Sequence, residues 1–439
     1  MLLLYSPSIS PRLKYISDFI GKELTGKPFE LTAEAHRYEQ HTGPRINYSP
    51  TPFPADRAWL RPHEILFETG IRPQQPGCFQ QDGVTAFFKT DGDFPFDIFA
   101  ASFYLVSRYE EYLPHKKDMY GRYAHENSLA YTEGFLDQPL VNTWLLRFGA
   151  FLKQTYPDLV IRQPKFQFIP TYDIDEAYSF RYKGWRRSAG AALRDLLQGN
   201  MKRFALRRRV LNNKEEDPFD SYAWMDNLHR PYSCKPRYFF LVPAKTGKHD
   251  HNILPGETAY HTLIRRHTDK YKVGVHPSWQ SGDHPALLSE EIRTIEQITQ
   301  LKVDSSRQHF IRFTLPGTFR RLIEAGIREE FSMGYGSING FRASVASPFY
   351  WYDLEKEQAS PLLLYPFCYM EANSYYEQKQ SPADALGEMR HYYHTVKNAG
   401  GTLITIWHNT FLGTDAKFKS WREAYLQFFH EVVKENHFD

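Results

Sequence analysis

Residues 168–180, FIPTYDIDEAYSF, run from an apolar stretch straight into Asp173, Asp175 and Glu176. Two further apolar stretches end in the same way: YKVGV (271–275) is followed by His276-Pro277-Ser278, and TLITIW (402–407) by His408-Asn409. A fourth polar group, Ser306-Arg307-Gln308-His309, follows a helical segment and its connection. One carboxylate after a strand is ordinarily a turn or cap residue, and one histidine after an apolar run is ordinarily a hydrogen-bonded interior imidazole. Three strand ends that are all acidic or imidazole argue for a shared site. Carboxylate oxygen and neutral imidazole nitrogen suit a divalent metal, and Asp175, His276 and His309 supply such a set. A metal held there makes water a nucleophile near neutral pH. Asp173 lies two residues from Asp175, on the same side of an extended strand. It can take the proton of that water, and His408 can hand one to a leaving amine.

For these groups to meet, the strands carrying them must be parallel, since β/α architectures gather the C-terminal strand ends on one face. From about residue 165 onward short apolar runs do alternate with helical segments. The expected strands are 166–172, 237–243, 271–275 and 402–407. The expected helices are 289–301 with Ser289 as N-cap, 318–325 stopped by Gly326, and 381–401 with Ser381 as N-cap and Pro382 at N1. Pro170 marks the first strand as an edge or as irregular at its end. An insertion, 181–236, separates the first two strands, and its first part (181–214) holds eleven Lys/Arg against Asp195 alone. It reads as a solvated basic surface or, alternatively, as a contact face for an anionic membrane or polymer.

Residues 1–160 are expected to form a smaller α/β accessory domain, with a strand at 2–5, helices at 12–25, 97–113 and 140–156, and loop over 40–62. Its boundary is placed in YPDLVIRQPKF (156–166), and Arg108, Glu110 and Glu111 read as a solvated helix face. A chain of 439 residues fits two domains. A formal net charge of +3 makes no case for nucleic acid. Cys78, Cys234 and Cys368 are too scattered for a disulfide framework or a structural zinc site, and they fit a reducing compartment. With neither a leader pattern nor a long apolar run, the expected address is cytoplasmic.

TYDID, GVHPS and ITIWHN, in that order behind an N-terminal segment of different character, resemble the polysaccharide deacetylases of carbohydrate esterase family 4. The likeness is strongest to a divergent bacterial branch with an extra N-terminal domain, and it covers roughly 165–415. It implies a distorted (β/α)7-type barrel over 165–439 and a divalent metal, zinc first with cobalt or nickel as alternatives. It also implies hydrolysis of N-acetyl or related acyl groups on a carbohydrate. Thr171-Tyr172-Asp173-Ile174-Asp175 matches the family's T-F-D-D with one residue inserted, so Asp173 is the base and Asp175 the metal ligand, or the reverse. His276-Pro277-Ser278-Trp279-Gln280 matches H-S/T-x-x-H, with Gln280 where the second metal histidine belongs. His309 takes that place, and His284 is the other candidate. Arg307 stands where the family's arginine orients the base carboxylate by a charge-assisted hydrogen bond, with Arg342 in GFRAS as its rival. His408 closes the last motif as the catalytic acid. Trp351 and Tyr352 either stack on a sugar or fill the core, and Glu371 is a further pocket candidate. Two other readings stand beside this one. They are an amidase on a small non-sugar substrate and a non-catalytic glycan-binding or scaffold protein, the latter favoured by Gln280.

Overall fold

Short β-strands at the start of the chain build a first sheet. The computed structural model describes residues 2–438. In it, β1 (Leu3–Tyr5), β2 (Glu30–Thr32), β3 (Arg45–Tyr48) and β4 (Trp59–Leu60) pair in parallel in the order β2-β1-β3-β4. The segment expected to be loop, 40–62, thus contributes two strands, because Ile46, Tyr48 and Leu60 each bury an apolar side chain. A hairpin of β5 (Phe79–Gln81) and β6 (Val84–Ala86) follows. Helix Pro11–Thr25 begins where Ser10 accepts the Leu13 N–H and ends at Gly26, whose φ of 79° favours glycine.

The second sheet comprises β7 (Gln167–Ile174), β8 (Arg237–Phe240), β9 (Lys272–Val275), β10 (Ser305–Ser306), β11 (Glu329–Glu330), β12 (Phe349–Asp353), β13 (Gln358–Leu364), β14 (Tyr369–Met370) and β15 (Thr402–His408). Its order is β12-β13-β11-β10-β9-β8-β7-β15-β14, every pair parallel except β12–β13. Parallel strands covered on both faces read as unbroken apolar runs, and β15 is buried over Thr402–Trp407. The fold is therefore mixed α/β with parallel sheets. β7 is central, not an edge. Pro170 is tolerated because β8 joins β7 only from Thr171 onward.

Helix boundaries differ from expectation in two informative places. The helix expected from Ser289 spans Pro285–Thr299, with Pro285 at its start and Leu288, Ile292 and Ile295 inward. The helix expected over 97–113 stops at Val106, because Arg108 turns left-handed (φ 55°) and a 3-10 turn, Tyr109–Tyr112, follows. The capping box of helix Pro382–Asn398, Ser381 with Asp384, is as its sequence indicates.

That left-handed turn carries the largest departure from the sequence reading. Arg108, Glu110 and Glu111 are buried, not solvated. Arg108 donates to Glu111 (2.7 Å) and Glu110 (2.9 Å), while Arg342 donates to both oxygens of Glu111 (2.8 and 2.6 Å). Burial opposes charge on Glu111, but Arg342 and Arg108 push its carboxyl down to about 2. Two arginines and two glutamates make the group neutral, and it joins the N-terminal part to the large sheet. Asn142 to Ser347 (2.8 Å) and Tyr15 to the Tyr350 carbonyl (2.5 Å) tie the same two parts. Buried apolar side chains of both form one continuous cluster. Removing one member of a buried ion pair typically costs about 3–5 kcal/mol, because the other is left uncompensated. Glu111→Ala is therefore expected to lower the denaturation midpoint sharply. A loss below about 1 kcal/mol, the surface-pair range, would show that the network carries little.

Candidate active site

Strand register sets the candidate residues side by side. His408 at the end of β15 lies opposite Asp173 in β7, and Val275, opposite Phe240 of β8, precedes His276. Ser306 of β10 pairs with Val275, so Arg307 leaves the sheet beside His276. The fourth polar cluster thus also follows a strand, one of two residues that sequence periodicity could not reveal.

Asp175, His276 and His309 come together, with one ligand atom from each lying within 4.8 Å of the others. Nε2 of His276 is 3.1 Å from Oδ1 of Asp175, and Nε2 of His309 and of His408 each lie 3.4 Å from Oδ2. Each imidazole is fixed from behind through Nδ1. That of His276 donates to the Arg307 carbonyl (2.5 Å), that of His309 to Asp250 (3.1 Å) and that of His408 to Glu371 (2.6 Å). A carbonyl oxygen only accepts, so Nδ1 of His276 carries a proton and Nε2 is the nitrogen turned toward Asp175. Nε2 of His276 and Oδ1 of Asp175 are buried and lack hydrogen-bond partners. Two acceptors that face each other in this way need a cation or a proton between them. The donor set, one carboxylate and two imidazoles, therefore fits a divalent first-row metal, with Asp250 in the supporting position that metal-binding histidines ordinarily have.

The electrostatics agree with this. Burial opposes charge on Asp175, yet His309, His408 and His276 hold its carboxyl well below the usual carboxylate range. Burial also disfavours charge on His309 and His408, but Asp175 and Asp250 raise the former to about 9, and Glu371 with Asp175 raise the latter to about 10. The pocket floor is built to keep positive charge next to Asp175.

Asp173 is buried and accepts from Arg307 Nη1 at 2.8 Å, with His276 Nε2 at 3.9 Å. Arg342 is committed to Glu111, which separates the two arginines that sequence left as rivals. Gln280 is not among the clustered ligand atoms but donates to Asp250 (3.1 Å), and His284 is an exposed residue at the start of its helix. Trp351 and Tyr352 are core residues, packed against Phe319 and Tyr15, and do not line the cleft. Sequence reasoning missed Asp250. It sits in the KHDHN loop ten residues beyond β8, too far from the strand for a strand-end pattern to expose it.

Above the cluster opens a cleft of about 1460 Å³ lined by Asp173, Asp175, His276, His309 and His408. Its walls include Tyr120 and Arg122 from the N-terminal part, Phe310, Tyr376 and the basic helix Met201–Leu211. Arg122 donates to the Phe310 carbonyl (2.7 Å) across Gly336, where any side chain would overlap the guanidinium. Phe310 and Ile311 take φ of 59° and 54°, a costly conformation for a β-branched residue, and Arg122 clamps the backbone there.

Comparison with known proteins gives little beyond this. A family of unknown function, DUF7033, matches residues 2–157 and so stops short of every residue around Asp175. No curated protein matches the chain. Among solved structures, a Mycobacterium smegmatis protein assigned to the polysaccharide deacetylases aligns at 13% identity and TM-score 0.39, over 62% of this chain and 85% of its own. Puue allantoinase aligns at 11% identity and TM-score 0.40 over the same shares. BA3943 from Bacillus anthracis, a CE4 family pseudoenzyme, aligns at 11% and TM-score 0.31, over 62% of this chain and 63% of its own. Likenesses this distant assign no activity.

Two outcomes are expected at the periphery of the cluster. Asp250→Ala removes the acceptor behind His309, and zinc affinity measured by chelator competition is expected to fall about 10- to 100-fold. Unchanged affinity would exclude His309 as a ligand. Behind His276, Glu291 accepts the Ser278 N–H (3.0 Å), and burial raises its carboxyl from the ordinary 4.5 to about 7. A raised folded-state value means proton uptake on folding. That stability is complete below about pH 4.5 and is lost as pH rises through about 7. Glu291→Gln, compared with the native chain by denaturant midpoints at low and high pH, is expected to flatten this decline by on the order of 3 kcal/mol. Parallel pH profiles would rule it out.

Proposed function

We propose that the protein is a metal-dependent hydrolase that removes an N-acetyl or related acyl group from a carbohydrate or glycan precursor. The nine-stranded sheet is read here as a distorted (β/α) barrel, with residues 1–160 as an accessory domain that walls one side of the cleft. The observation that carries the proposal is the set of Nδ1-anchored imidazoles around one half-buried carboxylate, Asp175. Support for a sugar comes from the TYDID, GVHPS and ITIWHN motifs and from the aromatic rings of Tyr120, Phe310 and Tyr376 around the cleft. A cytoplasmic address belongs to the same proposal and points to a precursor in place of a finished polymer.

Asp175, His276 and His309 would hold the ion, zinc first, with cobalt or nickel also suited to the donors. Such an ion, when bound, supplies Lewis acidity toward a carbonyl oxygen and toward water. The chain supplies the proton chemistry. Asp173, fixed by the Arg307 guanidinium, takes the proton of an attacking water. His408 is held by Glu371 through both its backbone N–H (2.7 Å) and Nδ1 (2.6 Å), which turns its Nε2 toward the cluster. From there it protonates the departing nitrogen. Glu371 keeps the imidazole in its proton-bearing form, as an acid requires.

Elemental analysis of the purified chain is expected to find close to one metal per molecule, lost in His276→Ala and in His309→Ala but kept in Gln280→Ala. Loss in His276→Ala alone would reject His309. Acetate release from N-acetylated oligosaccharides is expected to fall about 10²- to 10⁴-fold in Asp173→Asn and in His408→Ala, with metal content unchanged. No metal after supply of zinc, cobalt or nickel would overturn the mechanism. Oligosaccharide binding without turnover would favour the glycan-binding alternative.

A further inference from the structure

The insertion after β7 has a surface that the hydrolytic site does not explain. Helix Trp185–Leu197 carries Trp185, Ala189, Leu193, Leu196 and Leu197 at i, i+4, i+8, i+11 and i+12, which is one face. That face is turned outward: Trp185 is 76% exposed, Leu193 57% and Leu197 79%, and Met201 beyond the helix is 58% exposed. The inward face holds Asp195, buried against Arg207 at 2.7 Å. This reverses the usual arrangement, in which the apolar stripe faces the core. Nothing among the described residues covers it.

Charge identifies what would. Of the eleven cations in 181–214, only Lys183, Arg203, Arg207 and Arg209 form ion pairs among the described residues. Arg186 and Arg194 flank the apolar face, and Lys202 and Arg208 extend the basic surface along the next helix, all exposed. The Arg186 guanidinium lies 5.4 Å from the Trp185 ring. An exposed apolar stripe with a tryptophan, bordered by unpaired arginines, matches the interface of lipid tails and acidic headgroups. A protein partner would have to supply both a greasy groove and a surround of carboxylates. At 13 residues the helix is shorter than the roughly 20 needed to span a bilayer, and among the described residues no helix is long and apolar enough to cross one.

We propose that helix Trp185–Leu197 docks the protein on an anionic lipid bilayer, its axis in the membrane plane. Met201, Lys202 and Arg203, just beyond this helix, also line the cleft, so docking brings the cleft mouth to the headgroups. The inference is independent of the hydrolytic reading. It is tested by flotation of the full chain with phosphatidylcholine vesicles, with and without phosphatidylglycerol. Co-flotation is expected only with the anionic vesicles. It is expected to drop at least ~10-fold in Leu193→Asp/Leu197→Asp, and in Arg186→Gln/Arg194→Gln to become weaker and less dependent on salt. These side chains are exposed, and circular dichroism checks that the variants fold. The charge variant also tests the proposal should the apolar one not fold. Equal flotation with neutral vesicles, binding that both variants retain, or no flotation would overturn it. A dimer in sedimentation velocity that the apolar variant dissolves, without flotation, would assign the face to a second copy of the chain instead.

Discussion

The site depends on three imidazole rings being gripped from behind. Each of His276, His309 and His408 spends Nδ1 on an acceptor outside the cluster, and only then does Nε2 point at Asp175. A free imidazole chooses between two tautomers, whereas one bonded to a carbonyl or carboxylate does not. The fold therefore settles in advance which nitrogen faces inward. Strand register does the rest by ending β7, β9, β10 and β15 at one level.

Around this floor the N-terminal part acts as a wall with chemical content. Tyr120 and Arg122 reach the cleft, and Arg122 clamps the strained turn that follows His309. That reach is possible because the interface is anchored elsewhere, by the neutral group of Arg108, Glu110, Glu111 and Arg342 within a shared apolar cluster. Burying four charges is tolerable only when each meets a partner, and the left-handed turn at Arg108 lets its guanidinium meet both glutamates.

Sequence made much of the site legible because its residues end or directly follow apolar runs, a pattern that short-range periodicity carries. Asp173, Asp175, His276 and His408 stand out for that reason. His309 was visible only as a polar cluster, since β10 is too short to have a period. Asp250 was not visible, because its role depends on a loop folding back over the sheet. The burial of Arg108 and Glu111 was equally hidden, as Arg342, the second cation on Glu111, lies more than 200 residues away. The outward apolar stripe at Trp185 was half legible: composition showed the cations, but only the fold shows which way the leucines point.

The segment Arg307–His309 links parts of the site that its chemistry treats as separate. The Arg307 side chain holds Asp173, its carbonyl holds His276, and His309 is two residues on. The position of Asp173, one imidazole's orientation and another imidazole's position thus share a single mechanical mount. Any drift of this tripeptide moves all three together, so Asp173 cannot be repositioned through Arg307 without disturbing the two imidazoles.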